Sequence, residues 1–150
     1  MANERTLVLC KPDAVQRGWV GRIVSRFEQK GLKIAGMKML HVDEALANRH
    51  YQEHLDKAFY PQLRDFITSS PVIALAIEGD NAVDVVRALM GTTNPQNAAP
   101  GTIRGDFGIN LTKNLVHGSD SPASAEREIG LFFDENELHD YEMTVKHWLE

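Results

Sequence analysis

The period of the hydrophobic positions changes repeatedly along the chain, and each change marks an element. TLVLC, residues 6–10, is a short apolar, β-leaning run that predicts a buried strand. It ends at Lys11-Pro12-Asp13, where proline stops the strand and Asp13 is placed to cap the next element. In VGRIVSRFEQKG the apolar residues Val20, Ile23, Val24 and Phe27 recur at helical spacing, and Gly31 supplies the stop. LKIAGMKMLHV, residues 32–42, mostly alternates and predicts a second strand. Asp43 then caps a helix whose stripe is Ala47, His50, Tyr51, His54 and Leu55. Pro61 opens a helix carrying Leu63, Phe66 and Ile67, and Ser-Ser-Pro ends it before VIALAIEG, residues 72–79. That most apolar run predicts a central strand, followed by a helix over residues 82–90 through Ala82, Val85, Val86 and Leu89.

From Gly91 to Lys113 the chain is rich in Gly, Pro and Asn and loses its periodicity. A span of that length without a pattern points to a functional loop or to disorder. Asn114 to His117 reads as a short strand, and Ser121-Pro122 starts a helix reaching Phe132. The order β-α-β-αα-β-α-β, with a further helix and tail, predicts an α+β sandwich of the ferredoxin-like kind.

Composition narrows the classes. A chain of 150 residues, 43% hydrophobic and 25% charged, predicts one globular domain over 1–150. No apolar stretch approaches the ~20 residues of a membrane span, and the first residues lack signal-peptide architecture, so a soluble, cytoplasmic protein is expected. Cys10 is the sole cysteine, which excludes an intramolecular disulfide and suits a reducing compartment. A net charge of −5 argues against nucleic acid as the main partner.

Two patterns invite assignments that their context weakens. GLKIAGMK, residues 31–38, has the glycines of a phosphate loop, but its lysine is displaced and no Ser or Thr follows. His50-Tyr51-Gln52-Glu53-His54 matches the H-x-x-E-H motif of zinc proteases, yet no third ligand is evident, and the alternatives are a helix that packs Tyr51 and exposes its histidines or a face that lines a polar site.

NLVHGSDS, residues 114–121, offers a stronger lead. His117 ends a strand, Gly118 removes bulk so that a ligand can approach, and Ser119 adds a hydroxyl. On the following helix Glu128 sits beside the apolar stripe of Ala125, Ile129 and Phe132, where a carboxylate needs a partner. His117 can be that partner. An imidazole held through one nitrogen keeps the other free as base, ligand or nucleophile. Lys11, Arg87, Thr93, Arg104, Lys113 and Asn114 lie in or beside the irregular segment and suit phosphates and hydroxyls.

NLVHGSDS, KPDAVQRG (11–18) and NPQNAAPGTIRGD (94–106) together resemble the nucleoside diphosphate kinase family, from about Arg5 to Trp148. The resemblance implies a four-stranded antiparallel sheet with helices, a long irregular loop and a C-terminal extension. It implies ping-pong transfer of the γ-phosphoryl of a nucleoside triphosphate, ATP or GTP, to nucleoside and deoxynucleoside diphosphates, with Mg²⁺ held mainly by the phosphates and no dedicated protein metal site. His117 matches the phosphorylated residue, Glu128 the carboxylate orienting it and Ser119 the hydroxyl nearby. Arg87, Thr93 and Arg104 match phosphate contacts, with His54 at a phosphate-side position. Lys11 and Asn114 match contacts to sugar hydroxyl and phosphates, and Tyr51 supports the Lys11 and His117 neighbourhood. Phe59 matches the stacking aromatic, with Leu63 and Leu111 completing the base slot. Two departures stand out: Ala58 where many relatives carry proline, and no lysine in NPQNAAPG. The tail through Trp148 resembles members that form homohexamers, favoured here over tetramers. A relative that has lost turnover and survives as a binding protein is the competing non-enzyme class.

Overall fold

The computed structural model describes residues 3–150. Its strands are β1 (Asn3–Cys10), β2 (Lys33–Leu40), β3 (Val72–Asp80) and β4 (Val116–Gly118). They form one antiparallel sheet in the order β2-β3-β1-β4. The helices are α1 (Pro12–Gln16), α2 (Val20–Gln29), α3 (Glu44–His50), α4 (Tyr60–Ile67), α5 (Ala82–Met90), α6 (Ile103–Phe107) and α7 (Pro122–Phe132). This is the expected α+β sandwich of ferredoxin-like type, with the predicted apolar run β3 between two neighbours.

Strand period two divides the sheet into two cores. Val8, Cys10, Ile73, Leu75 and Ile77 pack with Ile23 and Phe27 of α2 and Val86 and Met90 of α5. Leu7, Leu9, Ala74 and Ala76 face the other way, onto Ala47 of α3, Ile67 of α4 and Ile129 and Phe132 of α7. Register then aims the chemistry. His117 pairs with Leu9, so it faces the α3, α4 and α7 layer, whereas Val116 pairs with Cys10 and joins the α2/α5 core.

Four local readings change. The helix from Asp43 stops at His50, with Tyr51 as its C-cap, and Gln52–His54 form a separate 3₁₀ turn. The two histidines of H-x-x-E-H therefore do not share one regular helix. Gly91 to Lys113 is not structureless: Pro95–Asn97 form a 3₁₀ turn and Ile103–Phe107 form α6, capped by Thr102, whose hydroxyl accepts from the Gly105 N–H. Five residues are too few to display a helical period. The last strand begins at Val116 because Leu115 takes a left-handed backbone, φ 74°. Asp13 caps no helix: it is buried, and its carboxylate accepts from the Leu115 N–H at 3.1 Å, holding that unusual turn in place.

Candidate active site

A cavity of about 510 Å³, within the range of small-ligand pockets, opens where β4 meets α3, α5, α7 and the segment after α5. The residues expected at the site line it, except Ser119, which is fully buried behind His117, and Lys113, which is exposed outside the cavity. Residues from positions 11 to 128 thus converge on one hollow.

The wall at β4 is built first by hydrogen bonding. The Ser119 N–H donates to the Leu7 carbonyl at 3.1 Å, and the Leu7 N–H donates to Ser119 Oγ at 3.2 Å, fixing the end of β4 against β1. Ser119 Oγ in turn donates to Glu128 Oε1 at 2.6 Å. His117 Nε2 lies 2.9 Å from the same oxygen. A carboxylate only accepts, so Nε2 carries the proton and Nδ1 keeps its lone pair. Glu128 is 6% exposed, and burial alone raises a carboxyl pKa, but the hydrogen bonds from His117 and Ser119 outweigh that and hold it below the ordinary value. It stays an anion.

Gly118 lines the cavity and has a packing reason as well. Its Cβ would lie 2.6 Å from Met90 Sδ and 3.4 Å from Val86, so glycine allows α5 to pack against β4.

The floor is cationic and buried. Lys11 is 7% exposed, and its Nζ donates to Asn114 Oδ1 at 2.9 Å. Asn114 Nδ2 donates to the Thr93 carbonyl at 3.0 Å, tying the irregular segment to the end of β1. Burial, with the Arg104 charge nearby, lowers the Lys11 pKa to about 8, although Asp13 acts the other way. Arg104 donates to three carbonyls, Asn114 at 3.3 Å, Gly91 at 3.1 Å and Val116 at 2.7 Å. Two of the roughly five N–H groups of a guanidinium then remain for a ligand. Burial and the neighbouring Arg87 lower its pKa to about 10, so it is charged at neutral pH. Arg87 reaches the same wall, donating to the Gly118 carbonyl at 3.2 Å. Three cations around one hollow suit an anion of several charges.

The opposite lip is apolar and open. Phe59 is 53% exposed and Leu111 58%, with Leu63 partly buried between the lip and the core. The Phe59 ring stands 5.6 Å from His54. Tyr51 keeps its hydroxyl buried without a partner, and burial raises its pKa, so it remains a phenol with a donor to spare.

His50 is the main surprise. It lies on the stripe read from the sequence, but it is 4% exposed instead of solvated, with its ring edge-on to His117 at 4.6 Å. Asp120 and Arg127 also line the cavity, and nothing in their sequence context separates them from ordinary surface charges. Asp120 is held below the usual carboxylate pKa by the Ser124 hydroxyl. Arg127 donates to the Arg49 carbonyl at 3.1 Å, bracing the end of α3.

Comparison with known proteins agrees over the full length. The nucleoside diphosphate kinase family profile matches residues 4–138. A nucleoside diphosphate kinase of Natronomonas pharaonis is 58% identical over 148 residues, covering 98% of this chain and 97% of the relative. One from Archaeoglobus fulgidus is 56% identical over 146 residues, covering 97% of each. The fold superposes on a halophilic nucleoside diphosphate kinase from Halobacterium salinarum, solved in complex with CDP, with a TM-score of 0.97 and 53% identity over 99% of both chains. A Babesia bovis family member gives a TM-score of 0.95 at 44% identity, covering 98% of this chain and 99% of that one. With the histidine, carboxylate and cationic floor in one cavity, and with these matches spanning nearly every residue, the chain belongs to the nucleoside diphosphate kinase family.

Proposed function

We propose that residues 1–150 act as one catalytic domain that transfers the γ-phosphoryl of a nucleoside triphosphate, typically ATP, to a nucleoside diphosphate through a phosphohistidine at His117, maintaining NTP and dNTP pools. The observation that carries this reading is the 2.9 Å contact of His117 Nε2 with Glu128, which leaves Nδ1 unprotonated on a ring lining the cavity. In the first half-reaction the Nδ1 lone pair forms a bond to the γ-phosphorus as the bond from phosphorus to the bridging oxygen breaks, and the diphosphate departs. The ring gains positive charge while Nε2 keeps its proton, and the buried Glu128 carboxylate opposes that charge. In the second half-reaction a terminal oxygen of an incoming diphosphate attacks the same phosphorus, the N–P bond breaks, and His117 returns to its neutral tautomer.

Phosphoryl transfer has a loose transition state, so positioning and charge compensation carry most of the acceleration. Lys11, Arg87 and Arg104 supply the charge, Thr93 and Asn114 add polar contacts, and His54 and Tyr51 face the phosphates from the other side. Phe59 stacks on the base between Leu63 and Leu111, and a π-face reads no hydrogen-bond edge, so ATP, GTP and deoxynucleotides are all accommodated. Mg²⁺ fits this site: such an ion is held through phosphate oxygens, waters and one or two carboxylates. The anionic Asp120, the carboxylate at the phosphate wall beside Arg87, suits that donor set. When bound, Mg²⁺ neutralises developing phosphate charge.

The setting is cytoplasmic, in keeping with the free, buried Cys10, and no helix among the described residues is long and apolar enough to cross a membrane. The chain assembles as a homohexamer. Support comes from β2, an edge strand with Met37 50% and Met39 59% exposed, and from the tail, where Trp148 is 77% exposed. Sedimentation giving a tetramer mass would exclude that assembly.

The direct test is intact mass after incubation with Mg·ATP and removal of nucleotide. One acid-labile phosphoryl group should appear, vanish on adding TDP as TTP forms, and be absent in His117→Ala. Glu128→Gln should phosphorylate more slowly, roughly 10²-fold as for loss of one charge-stabilising group, yet measurably. No adduct on the wild type rules the mechanism out.

A further inference from the structure

His50 occupies a position that the phosphoryl chemistry does not use. Its ring is buried among Tyr51, Phe132 and His117, at centroid distances of 4.5, 5.3 and 4.6 Å, and neither nitrogen has a hydrogen-bond partner. Buried polar atoms without partners are rare in folded proteins and call for an explanation.

The surroundings of His50 supply one. Donor atoms of His50, His117 and Glu128 all lie within 4.8 Å of one another, and all three residues line the cavity. Among the described residues these three form the one group of metal-ligating side chains. We propose that His50, His117 and Glu128 form a site for a borderline divalent cation of the Zn²⁺ class, and that its occupation excludes phosphorylation of His117.

Two imidazoles and a carboxylate suit Zn²⁺ or Co²⁺, whereas Mg²⁺ prefers an all-oxygen shell. Three protein ligands and one position open to the cavity make the usual arrangement of an accessible zinc site. Bonds of about 2.0–2.2 Å place tetrahedral donors about 3.4 Å apart, so the cluster must contract by roughly an ångström. Rotation of the His117 and His50 rings about their side-chain bonds provides that movement. Exclusion results whichever His117 nitrogen is used. Coordination through Nδ1 occupies the nucleophilic lone pair. Coordination through Nε2 displaces the proton which that nitrogen donates to Glu128, and the neutral ring then carries its proton on Nδ1, where it occupies the nucleophilic lone pair. The phosphoryl acceptor role of His117 rests on the function proposed above, but the ion site itself does not.

The H-x-x-E-H segment thus acquires a different third dimension from the one its sequence suggests. His50 at the end of α3 meets His117 of β4 and Glu128 of α7 on one side of the sheet, and His54 and Glu53 fall outside the cluster.

The test begins with chelator-stripped protein titrated with Co²⁺, read by visible absorption, and with Zn²⁺, read by calorimetry. The wild type should bind one ion per chain with the intense absorption of tetrahedral Co²⁺. His50→Phe and His50→Gln should each weaken binding roughly a hundredfold, as loss of a direct ligand exceeds the 10–100-fold of an outer-shell change. His147→Ala, in the C-terminal tail, should not. Phosphorylation by Mg·ATP in excess Mg²⁺ is then followed by mass for metal-free and Zn²⁺-loaded protein. Loading should suppress the wild type and leave each His50 variant near its own metal-free rate. Absent binding, wild-type affinity in both His50 variants, or loss in His147→Ala overturns the site. A wild type that holds the ion through His50 and is phosphorylated at an unchanged rate overturns the exclusion. Metal-free protein that is never phosphorylated refutes the kinase mechanism instead, and the binding results then decide the ion site alone.

Discussion

The two ends of the cavity are built by opposite means. At the end proposed to hold the phosphates, Lys11, Arg104 and Asn114 are each under 10% exposed, and every one is tied by hydrogen bonds to backbone or to another member. At the end proposed to hold the base, Phe59 and Leu111 are more than half exposed, and van der Waals contact is what they offer. The first arrangement costs desolvation of buried charge and gains fixed geometry. The second costs little and fixes little. On the function proposed here, with many bases and one triphosphate chemistry, the rigidity lies where substrates are alike and the tolerance where they differ.

The sharpest way to break this contrast is to remove Arg104. Its guanidinium holds the carbonyls of Gly91, Asn114 and Val116. Arg104→Ala should lower kcat/KM by about 10³-fold, as for loss of a transition-state charge contact, and should also destabilise the fold by about 1–3 kcal/mol because buried carbonyls lose their donor. Steady-state kinetics and chemical denaturation measure the two losses. If activity fell and stability did not, Arg104 would be a ligand contact alone, and the phosphate end would be less of a framework than its hydrogen bonds suggest.

Phe59→Ala probes the other end. Loss of a stacking face is worth about 1–3 kcal/mol, so nucleotide affinity should weaken roughly 5–150-fold, about equally for ADP, GDP and TDP, with stability nearly unchanged because the ring is exposed. Calorimetric titration with each diphosphate is the measurement. A loss confined to one base would mean that an edge contact, not stacking, governs recognition there.

The same division explains how much the chain alone makes legible. Strands and long helices announce themselves through periods of two and three to four, and α2, β3, α5 and α7 stand where the pattern puts them. The His117–Glu128 pairing is legible too, because a carboxylate beside an apolar stripe demands a partner and a histidine lies just upstream. Elements that depend on distant contacts are not legible. Helix α6 is too short to show a period, and its segment is held from outside: Arg26 donates to the Gly101 carbonyl and pairs with Asp106, and Trp19 stacks on Phe107 at 4.2 Å. Asp13 has the sequence context of a helix cap, yet its partner is Leu115, over a hundred positions away. His50 does lie on the expected stripe, but no linear pattern reveals that its neighbour is His117.

The smallest effect tests whether the buried charge of Lys11 carries the expected cost. In the folded protein its pKa is about 8, against an ordinary 10.5, so the side chain loses its proton while the unfolded chain still holds it. Two consequences run in opposite directions. Nucleotide affinity should decline above pH 8, approaching tenfold per pH unit if the protonated amine is required, and Lys11→Met should flatten that dependence. Stability should instead rise just above pH 8, because the unfolded state binds more protons there. The rise should be limited near pH 9, where the Cys10 thiol ionises in the unfolded chain but, with its folded pKa raised to about 12 chiefly by burial, not in the native one. Cys10→Ala should extend the rise toward pH 10. Denaturant midpoints and calorimetric affinities taken between pH 7 and 9.5 separate the two, and parallel loss of binding and stability would show that the amine is stabilised in the fold, not strained by it. Opposed slopes would mean that the phosphate end keeps its cation at the expense of the fold, a cost that the exposed base slot, with no buried charge, does not incur.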